Sequence, residues 1–265
     1  MKSEILNHLS PAYPWKENLH WFSSLGSTND HARALAKAGA PSGTAVLADH
    51  QTGGHGRRGR SFHSPEGVGV YLSLLLRPDC PPTELMHLTC AVAVAMCDAV
   101  EAAAGFRPAI KWTNDLVSGS RKLGGILTEI GFDAKGNVDW VIIGVGINCC
   151  QGEGDFPEEI RDMAGSLAMV SGKPVDRAKT AAAMLEALAQ MSEILLSRKE
   201  EILGRYRSDC MTLHRDVVLV RGEEKRYGHA VDIDESGALM VRFADGTVEP
   251  VNSGEISVRG MYGYV

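Results

Sequence analysis

The segment Gly53-Gly54-His55-Gly56-Arg57-Arg58-Gly59-Arg60 concentrates glycine and arginine in one short stretch of a 265-residue chain. Glycine leaves the backbone N–H groups free to turn toward an anion, and arginine adds bidentate, charge-assisted donors. Such a loop suits a phosphate or a carboxylate. On composition alone a solvated basic loop or an RNA-binding RGG-like segment fits equally well, and the G-x-x-x-x-G-K-[ST] spacing of a P-loop is missing. A second group is Lys111-Trp112-Thr113-Asn114-Asp115, followed by Arg121-Lys122-Leu123-Gly124-Gly125-Ile126-Leu127. Here a strand ends in a polar turn and an apolar strand begins just after a lysine, so Lys122 is expected at a strand mouth beside a glycine pair that permits close approach of a ligand. Asp115 and Lys122 come near each other across the turn, which a plain surface ion pair also explains. The third group, Gly144-Val145-Gly146-Ile147-Asn148, ends an apolar strand with spaced glycines and one amide. It fits either backbone approach to a ligand or a simple bulge, and it lacks the third glycine of a dinucleotide fingerprint.

These residues sit in an acidic chain. The formal net charge is −6, which argues against nucleic acid as the main partner and makes the three arginines within residues 57–60 a local anion site. With 44% hydrophobic and 23% charged residues the composition is that of a soluble globular protein. The most apolar stretches, Ala91–Cys97 and Leu74–Leu76, read as too short to cross a bilayer, so no membrane is expected. Met1–Ser10 contains Glu4 and His8 and has no export-signal pattern. The six cysteines form no C-x-x-C, and reduced, mostly buried thiols of a cytoplasmic protein are expected.

The elements that must position the chemistry follow from periodicity and punctuation. A helix opens at Ser27-Thr28-Asn29-Asp30, where a hydroxyl caps free N–H groups, and closes at Gly39. Thr44–Ala48 and Gly69–Leu76 read as buried strands, with the glycine-rich Gln51–Gly67 between them as a loop. Thr83–Ala104 reads as a long alanine-rich helix that stops at Gly105. Ala109–Trp112, Gly124–Gly131 and Trp140–Asn148 read as strands, the last two central, and Ala181–Ser197 and Lys199–Arg205 as helices. From about Leu213 the pattern becomes short strands, Val217–Arg221, Tyr227–Ile233, Ala238–Phe243 and Val248–Val251, with turn dipeptides at Ser236-Gly237 and Asp245-Gly246. The fold class is α+β. A mixed sheet with helices packed on one side occupies residues 1–212, and a small β-barrel domain, closely packed against it, occupies 213–265.

The order of the motifs is more specific than any one of them. Ser27-Thr28-Asn29 at a helix start, Q-x-x-G-x-G-R-R-G-R from Gln51, K-W-x-N-D from Lys111, R-K-L-x-G-I-L-x-E from Arg121 and G-x-G-I-N from Gly144 together resemble the catalytic domain of biotin protein ligases. The likeness continues at Phe156-Pro157-Glu158, at Gly165-Ser166-Leu167 and at Gly254-Glu255-Ile256-Ser257-Val258-Arg259, covering roughly residues 21–167 and 215–259. It implies an SH3-like C-terminal barrel and a two-step reaction. Biotin carboxylate attacks the α-phosphate of ATP, and a lysine of a biotin carboxyl carrier domain then takes the biotinyl group from biotinyl-5′-AMP. Magnesium is implied, held mostly by phosphate oxygens and waters.

By the same resemblance Ser27, Thr28, Asn29 and Gln51 line the biotin ring pocket. Gly54, His55 and Gly56 belong to the loop that closes over biotin, and Gly125 lies beside it. Arg57 makes the principal phosphate contact, with Arg58 and Arg60 holding the loop or pyrophosphate. Lys122 binds the biotin carboxyl and the α-phosphate. Lys111, Trp112, Asn114 and Asn148 face the nucleotide, and Asp115 assists the incoming lysine or holds magnesium. Two residues depart from the pattern: His55 stands where arginine is usual, and Thr113 where proline is usual.

Many relatives form dimers, so a homodimer is one expectation. Some relatives also carry an N-terminal DNA-binding domain. Only about twenty residues precede Trp21-Phe22 here, too few for one, so a ligase without a repressor arm is expected. The competing readings are a DNA-binding repressor, a lipoyl or octanoyl transferase, and a non-catalytic RNA binder using the arginine loop. Four glycines from Gly53 to Gly59 make this loop entropically costly to order. Biotin plus ATP should therefore protect residues 53–60 from proteolysis, and unchanged cleavage would show that the loop is no lid.

Overall fold

The apolar runs become the centre of a seven-stranded mixed sheet in the computed structural model, which describes residues 1–221, 223–252 and 257–260. Its strands are β1 (Leu19–Leu25), β2 (Thr44–Gln51), β3 (Gly69–Leu76), β4 (Ala109–Lys111), β5 (Asp115–Ser118), β6 (Arg121–Phe132) and β7 (Val138–Asn148), in spatial order β1-β2-β3-β7-β6-β5-β4. β1 and β2 run parallel and every other neighbour pair is antiparallel. The helices are α1 (Lys2–His8), α2 (Thr28–Lys37), α3 (Leu88–Ala104), α4 (Leu167–Ser171), α5 (Arg177–Ile194) and α6 (Lys199–Asp209).

Side chains alternate across a strand, and here they sort into two cores. Ala45, Leu47, Leu74, Val141 and Ile143 join the large core built with α3, α5 and α6. Their neighbours Val46, Leu75 and Ile142 join a small core with Ala32 and Ala36 of α2. Helices therefore cover both faces of the sheet, which corrects the one-sided arrangement. An apolar run buried on both faces does not reveal which helix covers which face.

Burial on all sides also explains α3. With the short turn Pro82–Leu85 before it, Pro82–Ala104 is long and apolar enough to span a membrane, and 72% of its most apolar window is buried inside the fold. The apolar stretch is thus longer than expected, and packing between the sheet and α5 accounts for it. The helix proper starts at Leu88 instead of Thr83 and ends at Gly105 in the left-handed conformation. α5 starts at Arg177, where the Asp176 carboxylate accepts the N–H groups of Ala178 (2.8 Å) and Lys179 (3.0 Å).

The C-terminal strands β8 (Asp216–Arg221), β9 (Glu224–Ile233), β10 (Leu239–Phe243), β11 (Val248–Val251) and β12 (Ser257–Gly260) form an antiparallel sheet ordered β11-β10-β9-β8-β12. The two turn dipeptides lie where expected, with Gly237 and Gly246 both at positive φ. Among the described residues no ladder joins β11 to β12. Of the terminal motif, Gly254, Glu255 and Ile256 lie outside the described residues. This sheet packs on the rest of the chain as expected: the Arg207 guanidinium donates to Ile233 O (2.6 Å) and the Trp112 indole N–H donates to Gly237 O (3.0 Å). All six cysteines are free thiols, and Cys90, Cys97, Cys149 and Cys210 are buried.

His87, just before α3, is buried; its Nε2 is 2.9 Å from Leu195 O and its Nδ1 has no partner. Burial pushes its pKa down, opposed by the Leu195 contact. The unfolded chain then binds a proton near pH 6.5 that the folded chain refuses, so stability falls as pH drops through that value. Urea unfolding should show the wild type losing about 1 kcal/mol more than His87→Phe between pH 7 and 5.5. Parallel losses in the two proteins would contradict this.

Candidate functional site

Three strands and the register between them build the floor of the site. On the face covered by α2, three cross-strand rows follow one another: Leu75, Ile142 and Glu129; then Ser73, Gly144 and Leu127; then Tyr71, Gly146 and Gly125. α2 covers the first row with apolar residues and meets the second with its polar N-terminus. A Cβ on Gly144 would lie 2.0 Å from Asn29 Oδ1, and one on Gly146 would lie 2.4 Å from the Phe62 ring. Glycine here lets an amide and an aromatic ring lie flat on the sheet. The β6–β7 register is continuous through these residues and shifts only at Gly131/Phe132, so the G-x-G spacing is close approach and not a bulge.

The cleft above this floor holds about 480 Å³, part of it open to solvent, and a polar chain fixes one wall. Gln51 Oε1 accepts the Thr28 N–H (2.8 Å) and hydroxyl (3.1 Å), and Gln51 Nε2 donates to Ser64 Oγ (2.9 Å). Ser73 Oγ lies 2.6 Å from Asn29 Oδ1, and Asn29 Nδ2 donates to Glu129 (3.2 Å) and Leu127 O (3.4 Å). Ser27 stands at the N-cap but makes no side-chain cap; Gln51 takes over the Thr28 N–H, and Ser27 lines the cleft.

The glycine–arginine loop lies across this cleft. Its backbone is tied by Gly53 N–H to Gly26 O (2.8 Å) and by Phe62 N–H to Gly54 O (2.8 Å). Arg57 Nη1 donates to Asn114 Oδ1 (2.7 Å), and Asn114 Nδ2 donates to Ile126 O (2.9 Å), so the amide presents its oxygen to the arginine. Burial pushes the Arg57 pKa down, partly offset by Asp115, and an arginine stays charged regardless. Lys122 Nζ donates to Asp115 Oδ1 at 2.6 Å. Lys122 is the second residue of β6, at the mouth of the strand, and its backbone is also held by Met163 O and Gly165 N–H.

A second cleft of about 660 Å³ opens beside the first and shares Lys122 and Phe62 with it. Arg60, His63, Asn148, Phe156, Ile160 and Met163 line it. The Asn148 amide is engaged at both ends, donating to Gly165 O (2.9 Å) and accepting from Gln151 (3.2 Å).

Of the expected site residues, Ser27, Thr28, Asn29, Gln51, His55, Gly56, Arg57, Asn114, Lys122 and Gly125 line the first cleft, and Arg60, Asn148 and Lys122 the second. Asp115 reaches the site through Lys122. Gly54, Arg58, Lys111 and Trp112 line neither cleft. Gly54 packs on Phe62 O and Ser64, where a Cβ would sit within 2.8 Å of both, and Trp112 points its indole N–H at Gly237. Sequence reasoning missed Phe62, Ser64, Ser73 and Glu129. Ser73 carried a usable signal, as the single serine inside the apolar run Gly69–Leu76.

The profile of the Biotin/lipoate A/B protein ligase family matches residues 21–148, and that of the Biotin protein ligase C terminal domain matches residues 213–259. The Bifunctional ligase/repressor BirA of Bacillus subtilis is 38% identical over 258 residues, covering 91% of this chain and 74% of that protein. The chain belongs to the biotin protein ligase family. The Biotin--[acetyl-CoA-carboxylase] ligase of Mycobacterium tuberculosis is 31% identical, with 91% of this chain and 89% of that protein covered. Among solved structures, the biotin protein ligase from Aquifex aeolicus in complex with biotin and ATP superposes with a TM-score of 0.78 at 31% identity, covering 92% of this chain and 99% of that one. The order of motifs along the chain is thus a family signature.

Within this family site, Gly144 is the floor position with least room. Gly144→Ala should cost about 1–3 kcal/mol in urea unfolding, the range for overpacking, because the Asn29 amide is held by Ser73, Leu127 and Glu129 and cannot swing aside freely. Gly154→Ala, with nothing within 4 Å of its added Cβ, serves as the control and should stay within about 0.5 kcal/mol. Equal effects at the two positions would refute the packing account.

Proposed function

We propose that this ligase joins biotin to ATP where its two clefts meet, and then passes the biotinyl group to a lysine of a biotin carboxyl carrier domain. The observation that carries the reading is Lys122, which lines both clefts and is held there by Asp115. A carboxylate and a polyphosphate repel each other, and their reaction needs cations already in position at the junction. Lys122 and Arg57 meet that need. The polar wall of Ser27, Thr28, Asn29 and Gln51 offers matched donors and acceptors to a ureido ring, and the second cleft, with Phe156, Ile160 and Met163, offers apolar surface to an adenine.

In the first step a biotin carboxylate oxygen bonds to the α-phosphorus and pyrophosphate leaves with its electron pair. In the second, the neutral amine of the acceptor lysine attacks the acyl carbon, AMP leaves, and the amine proton is lost. Lys122 and Arg57 offset the charge on the carboxylate and α-phosphate, and Asn114 holds Arg57 toward them. Asp115, drawn between the two cations, is the carboxylate nearest to an incoming ammonium. Asn148 supports the wall of the nucleotide cleft through Gly165. Among the described residues no cluster of three acidic, histidine or cysteine side chains could hold a metal, so magnesium fits this site only as the nucleotide complex, held by phosphate oxygens and water. The division at residues 212 and 213 and a cytoplasmic setting, in keeping with the buried thiols, belong to the same reading.

Pyrophosphate exchange into ATP, run separately with biotin and with lipoate, tests the proposal. Exchange should require biotin; exchange with lipoate but not biotin would sink it. Lys122→Ala and Arg57→Ala should each lower the exchange rate by roughly 10²–10³-fold, the range for loss of one preorganised charge-stabilising group. A wild-type rate in either variant removes that residue from the mechanism.

A further inference from the structure

The loop over the first cleft is anchored on two sides. On the β5 side, Arg57 reaches Asn114. On the opposite side, His55 Nε2 lies 2.8 Å from Asp30 Oδ2, in the first turn of α2. Asp30 does not stop there. Its other oxygen accepts from Arg33 Nη1 (2.8 Å), and Arg33 Nη2 donates to Glu129 Oε1 (2.7 Å) and Oε2 (2.9 Å). Glu129 in turn accepts from Asn29 Nδ2, on the floor of the cleft. A chain of charged contacts thus runs from the loop, through the start of α2, to the amide beneath the ligand.

We propose that Asp30 and His55 are positioning residues whose protonation-dependent contact clasps this loop over bound biotinyl-adenylate. The inference rests on the functional reading above. Histidine is the side chain that changes charge near neutrality, so the clasp is an ion pair on the acid side. On the basic side the hydrogen bond from Nε2–H to the carboxylate remains, without the attraction between opposite charges. The charged groups around the pair are Asp30 and Arg33 on α2, Glu129 on β6, Lys122 and Asp115 at the cleft, and Arg57, Arg58 and Arg60 on the loop itself. Burial acts upward on the Asp30 carboxyl, but the hydrogen bonds from His55 and Arg33 outweigh it and hold the group below its usual range. Asp30 therefore stays ionised at neutral pH. Both partners are about half exposed, His55 at 51% and Asp30 at 47%, so the contact tunes the loop rather than locking it.

The experiment preforms biotinyl-AMP on the full-length enzyme and follows its dissociation at pH 6, 7 and 8.5; the ligand carries no group that titrates in this window. The wild-type dissociation rate should rise about two- to five-fold across it, the range of an exposed ion pair. Asp30→Asn should dissociate fast at every pH, and His55→Arg, a permanent cation, slowly at every pH. A merely structural contribution would change rates without flattening the pH profile. A pH-independent rate in the wild type, or a wild-type profile in either variant, overturns the clasp. Failure of the wild type to form biotinyl-AMP at all overturns the functional reading instead, so the two failures are distinct.

Discussion

A half-buried ammonium inside a β-strand must have a counter-charge, and the contact between Lys122 and Asp115 supplies it. Removing one member of such a pair leaves an uncompensated charge that costs several kcal/mol. The backbone arranges the contact: Asp115 pairs with Gly125, and a register shift between Leu116 and Val117 brings Lys122 back alongside the same strand. Asp115 also pulls on Arg57, so one carboxylate faces two cations. In the proposed reaction the carboxylate and phosphate of the substrates would face these same two cations. Little needs to move at the moment of reaction, which is what electrostatic preorganisation requires.

The same economy of space shapes the floor. The sheet face under α2 passes from apolar side chains at Leu75 and Ile142 to a polar row around Gly144 and then to a row with two glycines, Gly146 and Gly125. Along β6 and β7 each step removes side-chain height, with Tyr71 of β3 flanking the last row, so a cleft appears at the end of an otherwise packed interface. Asn29 and Phe62 fill just the space the glycines release. The cleft is therefore a consequence of side-chain size along β6 and β7, and α2 supplies both the apolar cover and the polar rim.

Much of this was legible in the sequence because it rests on local rules. The central strands, the helix at Ser27-Thr28-Asn29 and the hairpin glycines at 237 and 246 follow from periodicity and turn chemistry. What escaped depends on tertiary contacts. α1 buries only Ile5 and packs on α5, so it has no amphipathic signature of its own. β5 is four residues of a segment that also reads as a turn, and its pairing starts β6 at Arg121, three residues before the expected Gly124. The spacing of Gly144 and Gly146 left two readings open because the residues that approach them, Asn29 and Phe62, lie more than eighty positions away. Trp112, which the resemblance implies faces the nucleotide, lines neither cleft and turns its indole N–H to Gly237 O, a direction that a sequence does not display.

The direction of Trp112 links the second domain to the chemistry. Its indole N–H reaches Gly237 O in the β9–β10 turn, its backbone N–H donates to Thr212 Oγ1 (2.9 Å), and Tyr206 of α6 donates to Thr113 O (3.0 Å). Three contacts from α6 and beyond thus fix residues 112 and 113. The next two residues, Asn114 and Asp115, hold Arg57 and Lys122. A turn of four residues anchored on one side by the C-terminal part of the chain and facing the active-site cations on the other cannot shift without moving both. Among the described residues the C-terminal sheet lines neither cleft and meets this turn through the contact of Trp112 with Gly237 O, so the tryptophan joins the second domain to the segment that holds the cations.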